Sequence, residues 1–179
     1  MMRRPAFHTA AASAIILTAS MLAACSRPDP QADLQMGKLL LSQNAANAPQ
    51  ARAYLEAAAQ AGSPAAAYHL GLLLRRGAPG VRRDLPQARQ WLQTAAAAHL
   101  PDAQFMLAQM LRQGEGGPVD AAGARRLLEE AGEHDQPEAN LELAMAYQRG
   151  DLGVRPDAQQ AERYLMEAQH SLKDRPPAP

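Results

Sequence analysis

The stretch Ala66-Ala-Tyr-His-Leu-Gly-Leu-Leu-Leu-Arg-Arg-Gly77, continued by Gly80-Val81, Asp84, Ala88, Trp91 and Ala95-Ala96, decides the fold, because the chain repeats it. Four segments share its second half: Ala51-Arg-Ala-Tyr-Leu-Glu-Ala-Ala, Ala88-Arg-Gln-Trp-Leu-Gln-Thr-Ala, Ala124-Arg-Arg-Leu-Leu-Glu-Glu-Ala and Ala161-Glu-Arg-Tyr-Leu-Met-Glu-Ala. Their first alanines lie 37, 36 and 37 residues apart. Twelve residues beyond Ala58, Ala95 and Ala131 stand Leu70, Leu107 and Leu143, and seven beyond those stand Gly77, Gly114 and Gly150. A fixed period of this length marks a stack of supersecondary units, none of which can bury its apolar face alone.

Each marker has a mechanical reason. Asn47, Asp84, Asp120 and Asp157 stand four residues before the marker alanines, where a helix needs an acceptor for its free N–H groups. Gln50, Gln87 and Gln160 follow three residues later and predict capping boxes. Pro64, Pro101 and Pro137 open the other helix of each pair, where a missing N–H costs nothing. Gly77, Gly114 and Gly150 are expected to end it in the left-handed conformation. Ala66, Leu70 and Leu74 share one helix face, as do Ala103, Leu107 and Leu111. Gly71, Ala108 and Ala144 are small enough for a partner helix to approach closely. Gly123, read as interior to its helix, predicts the softest element, since such a glycine costs about 1 kcal/mol relative to alanine.

This pattern resembles the Sel1-like repeat, a relative of the tetratricopeptide repeat, over three units spanning residues 63–172. The resemblance implies an all-α fold, a right-handed α-solenoid of antiparallel helix pairs. Residues 32–62 read as a degenerate leading pair with Leu34, Met36, Leu39 and Leu40, as terminal solenoid units often are. Residues 25–31 read as a short tether, and the Pro-rich residues 173–179 as a disordered tail.

The first 24 residues read separately from the fold. Arg3 and Arg4 precede an apolar, Ala-rich run from Ala10 to Ala24 that ends in small residues, the pattern of a secretory signal peptide. The run falls short of the roughly 20 residues a membrane-spanning helix needs. Leu22-Ala23-Ala24-Cys25 resembles the bacterial lipobox, which implies that Cys25 is acylated and becomes the first mature residue. Several acyl chains anchor durably, each buried methylene contributing about 0.8 kcal/mol. Ser26 implies, by the same resemblance, the outer membrane and a periplasm-facing protein.

Cys25 is the chain's one cysteine, so its acylation leaves no thiol for a disulfide or a thiolate metal site. Beyond the leader, 16 Lys and Arg face 18 Asp and Glu, a net of −2 that argues against a generic nucleic-acid binder. Residues 63–112 carry +4 and residues 113–145 carry −6, two patches that would orient a charged partner. Aromatics are 4% of the chain, so alanine and leucine must supply the packing. No nucleophile triad, phosphate loop or metal motif is present, and no cofactor is expected. His69, His99, His134 and His170 fall about one per unit and read as flanking residues. Glu129, Glu130 and Glu133 read as a solvated face, and Trp91, standing where Leu127 and Tyr164 stand in other units, as packing. Some Sel1-like proteins are linked to penicillin binding or hydrolysis, but those are cysteine-rich and this chain has no Ser-x-x-Lys, so that activity is not carried over.

Relatives of this superfamily bind partners on the concave surface lined by the first helix of each pair. Placing Leu70-Gly71 in that register puts Tyr68, Leu72, Arg75 and Arg76 on this surface. Phe105, Gln109, Arg112 and Gln113 follow from the second unit, then Leu141, Met145, Gln148 and Arg149 from the third. An apolar stripe beside arginines suits a protein interface; equally, Tyr68, Phe105 and Leu141 could pack between neighbouring helices. The expectation is a non-enzymatic, lipid-anchored scaffold or adaptor for a protein of an envelope assembly. The alternative is a peptidoglycan-related enzyme or enzyme regulator holding a wall ligand in the groove.

Overall fold

A computed structural model of the protein describes residues 29–174. The leader, Cys25 and the last five residues of the expected tail lie outside the described residues. Among the described residues eight α-helices follow one another: α1 (Pro30–Gln43), α2 (Ala48–Gln60), α3 (Pro64–Arg76), α4 (Leu85–Ala97), α5 (Pro101–Gln113), α6 (Ala121–Glu133), α7 (Pro137–Arg149) and α8 (Ala158–Asp174). A single 3₁₀ turn, Ala45–Asn47, leads into α2. Each odd-numbered helix packs antiparallel on the next, and each pair stacks on its neighbours alone, so the fold is an all-α repeat solenoid. Helix reaches into both predicted end segments: Asp29 accepts the N–H of Gln31 and starts α1 within residues 25–31, and α8 runs through Asp174 into residues 173–179.

The close approach inside each pair depends on small residues. A Cβ on Gly71 would lie 2.7 Å from Cγ of Leu92, and one on Gly37 would lie 2.7 Å from Cγ of Leu55. The leading pair therefore has the same inner contact as the second, and at that level it is not degenerate. Leu55, Leu92 and Leu128 occupy one repeat position and are 0, 0 and 2% exposed. Leu165, their counterpart in α8, is 37% exposed, with no further helix pair among the described residues to cover it.

Three of the four expected caps form. Asp84 accepts from the N–H of Gln87, Asp120 from that of Gly123, and Asp157 from those of Gln159 and Gln160. Asn47 does not cap: it already has helical backbone angles at the end of the 3₁₀ turn, and Asn44 instead accepts from Ala46. The reciprocal half of the capping box is also not made, because the backbone N–H it would use is taken. Asp84 N–H donates to the carbonyl of Leu74, Asp120 to that of Leu111 and Asp157 to that of Tyr147, at 2.8 to 2.9 Å. This repeated bond ties each turn back onto the last turn of the helix before it.

The glycine ends differ from the single conformation expected. Gly114 and Gly150 are left-handed, whereas Gly77 pairs φ +73° with ψ 168°, a region essentially reserved for glycine. From there the chain enters the small Ala78–Val81 bridge. Gly123 is not interior. It is the third residue of α6, and a Cβ there would collide with the Asp120 carboxylate that caps it, so it does not mark α6 as the softest helix.

Candidate partner-binding face

The residues of the predicted stripe fall on the first helices α3, α5 and α7. Leu72, Arg75 and Arg76 line a cavity of about 330 Å³ together with Met106, Arg83 and Glu115. Leu72 and Arg76 also line a second, neighbouring cavity of about 360 Å³, bounded by Leu41, Ala45 and Ala48 of the leading pair and by His69. The two spaces thus share a rim made of Leu72 and Arg76.

The aromatic members behave chiefly as packing. Tyr68 and Phe105 are half-buried and rest on the core, as do Met106, Trp91, Leu127 and Tyr164. Burial pushes the Tyr68 phenol above its ordinary pKa, and the negative charge of Asp102 from α5 adds to the rise. His69 stands 5.2 Å from the Tyr68 ring, centroid to centroid. Burial lowers its pKa, Lys38 of α1 lowers it further, and Asp102 opposes both. Leu141 is half-buried, and Met145 is exposed at the far end of the stripe.

The cationic stripe is less free than its sequence suggests. Arg75 Nε donates to Glu115 at 2.5 Å, and Arg83 reaches the same carboxylate at 3.7 Å. Arg112 pairs with Glu142 of α7 at 3.5 Å and donates to Gln109, which in turn donates to Glu142 at 3.0 Å. Acids from the segment of net −6 therefore pair with arginines from the segment of net +4, so the two charges are not separate patches. Glu115 and Glu142 were invisible to the register argument because each meets a partner at least 30 residues away. Arg76 differs: it is exposed and makes no ion pair among the described residues. Among the described residues no cluster of three His, Cys, Asp or Glu could hold a metal ion, and no helix is long and apolar enough to cross a membrane.

The Sel1 repeat profile matches residues 31–63, 64–99, 101–135 and 137–168, one segment for each helix pair. The chain belongs to the Sel1 repeat family. The match includes the leading pair, in agreement with its Gly37–Leu55 contact. Among solved structures, a Sel1 repeat protein from Oxalobacter formigenes superposes with a TM-score of 0.72 at 24% identity, covering 80% of this chain and 58% of that one. That likeness shows the fold alone. The protein c5321, a protective antigen of uropathogenic Escherichia coli with an SLR fold, gives 0.72 at 30% identity, covering 79% of this chain and 30% of that one. This chain therefore spans less than two thirds of either. No curated protein matches the sequence. Sel1 repeat solenoids are commonly protein-binding scaffolds.

Proposed function

We propose that this Sel1 repeat protein is a non-enzymatic scaffold of the bacterial envelope, anchored through acylated Cys25, that holds a partner protein of an envelope assembly on its first-helix face. The observation that carries the docking reading is Arg76. It is exposed, makes no ion pair among the described residues and stands on a rim shared by two adjoining cavities, while Arg75 and Arg112 are committed to carboxylates. Leu72 on the same rim supplies apolar contact, and Arg beside apolar surface is the mixture enriched at interfaces. The anchor rests on Leu22-Ala23-Ala24-Cys25 behind a charged, apolar leader, and the outer-membrane, periplasm-facing location on Ser26.

Site-specific photo-crosslinking in intact cells tests the face. Crosslinkers at Leu72 and Met145 should trap one discrete partner, and one at Gln93, exposed on α4, should not. Arg76→Glu should cut the Leu72 adduct severalfold while moving stability by less than about 0.5 kcal/mol, as surface changes away from special sites do. Adducts arising only from Gln93 would move the interface to the opposite face. Palmitate labelling that persists in Cys25→Ala would remove the anchor from the proposal.

A further inference from the structure

The second helices form the other face of the solenoid, and there one groove differs from its repeats. It lies between α6 and α8, has a volume of about 510 Å³, and is floored by Asn140 of α7. Its walls carry four carboxylates, Glu129, Glu133, Asp135 and Glu167, against Arg163 and His170.

The repeat itself shows why this groove is open. One unit earlier, Asn140 corresponds to Gln104 and Glu167 to Glu130, and there the Gln104 amide donates to Glu130 at 3.0 Å, closing the floor. Asparagine is one methylene shorter and makes no such bond. Among the described residues neither Gln104 Oε1 nor Asn140 Oδ1 has a hydrogen-bond partner, but the Gln104 amide is held by Glu130, whereas Asn140, 2% exposed, faces the open groove. Gly132, where the earlier units have Ala59 and Ala96, completes the opening. A Cβ at 132 would lie only 2.3 Å from Asn140 Oδ1, so glycine is what admits the amide. A buried amide oxygen without a donor destabilises the fold, and a bound donor would relieve that cost.

The charges are not settled internally either. Arg163 is occupied by Glu167 at 3.3 Å, by Gln160, and by the Tyr164 ring 4.4 Å away. Arg125 meets Glu129 from outside at 3.5 Å. Among the described residues Glu133 makes no ion pair, and the side-chain bond that Asp135 accepts is a long one, from Ser171 at 3.5 Å.

We propose that this groove binds an ammonium group, carried either by a lysine side chain of a protein or by a small free amine. An ammonium has three donors and no acceptor, matching the acceptor-only set of Asn140 Oδ1 and the carboxylates. The space is of the size that holds organic ligands, about 300–1,000 Å³, and its carboxylates are too dispersed to form a metal cluster. The excess of carboxylates excludes an anion. This site is independent of the first-helix face.

The test is titration of the ¹⁵N-labelled chain with cadaverine, with the peptide acetyl-Gly-Lys-Gly-amide, and with its glutamate counterpart. Either amine should shift the Asn140 side-chain and Gly132 amide resonances; the stronger of the two identifies the source. Glu133→Gln with Asp135→Asn, both exposed positions that leave the packing untouched, should weaken binding at least tenfold. Gly132→Ala should abolish it, and the double variant keeps the proposal testable if that chain misfolds. No shift with either amine, equal shifts with the glutamate peptide, unchanged affinity in the double variant, or tighter competition by calcium would overturn it.

Discussion

At the scale of single residues, the sequence exposed what the period repeats and hid what crosses it. Leu70, Leu74, Leu107 and Leu111 were legible as core because each returns in register, and Gly71 as a contact residue because the marker leucine precedes it. Arg75 and Arg112 were also legible as surface residues, but their carboxylates sit in other units, and nothing in a linear pattern reports a contact across that distance. The same blindness covered Asn140, whose meaning appears only beside the Gln104–Glu130 bond it fails to reproduce. His69 offers a test at this scale. Its pKa is lowered from about 6.5 chiefly by burial, so the unfolded chain binds the proton more readily than the folded one. Stability from this group is then complete above the unfolded value and falls as pH drops below about 6.5 toward the lowered folded value. Urea titrations at pH 7.5 and pH 5 should show a loss in the wild type that His69→Gln reduces. Identical pH dependence in the two proteins would assign the loss to other groups.

Among elements, helix starts were better legible than helix links. A capping residue acts on its own next turn, so a local pattern suffices to find it, and Asp84, Asp120 and Asp157 all cap as read. Asn47 failed because a 3₁₀ turn carries the chain into α2 already helical, a tertiary adjustment that the spacing does not encode. The capping boxes failed because the cap N–H groups of Asn47, Asp84 and Asp157 are spent on the carbonyls of Asn44, Leu74 and Tyr147. Removing a cap that makes its bond costs about 1 kcal/mol. Asp84→Ala and Asp120→Ala should each lower the unfolding free energy by roughly that amount, while Asn47→Ala should change it by less than about 0.5 kcal/mol. Equal losses at all three positions in denaturant titrations would mean that the bond absent at Asn47 forms in solution.

For the molecule as a whole, the solenoid makes position along the stack as important as burial chemistry. Each pair is held by its neighbours, so interior units have two interfaces and terminal units one. The leucine shared by all second helices isolates this effect, because residue type and local helix are constant while the cover changes. Leu55, Leu92 and Leu128 lie under a following pair; Leu165 does not and is 37% exposed. Leu92→Ala and Leu128→Ala should each cost about 2–5 kcal/mol, the range for fully buried leucines. Leu165→Ala, with part of its side chain already in water, should cost roughly 1 kcal/mol. Leu172, 49% exposed on the same terminal helix, should cost less still. Hydrogen exchange separates the two kinds of loss: Leu165→Ala should lower protection in α8 and leave α4 and α5 unchanged, because an end pair can open alone. Leu92→Ala should lower protection on both sides of the break, since it removes an interface that two pairs share. A loss at Leu165 as large as that at Leu92, with protection falling evenly from α1 to α8, would mean that a further partner covers the open end in solution and that the stack does not end at α8.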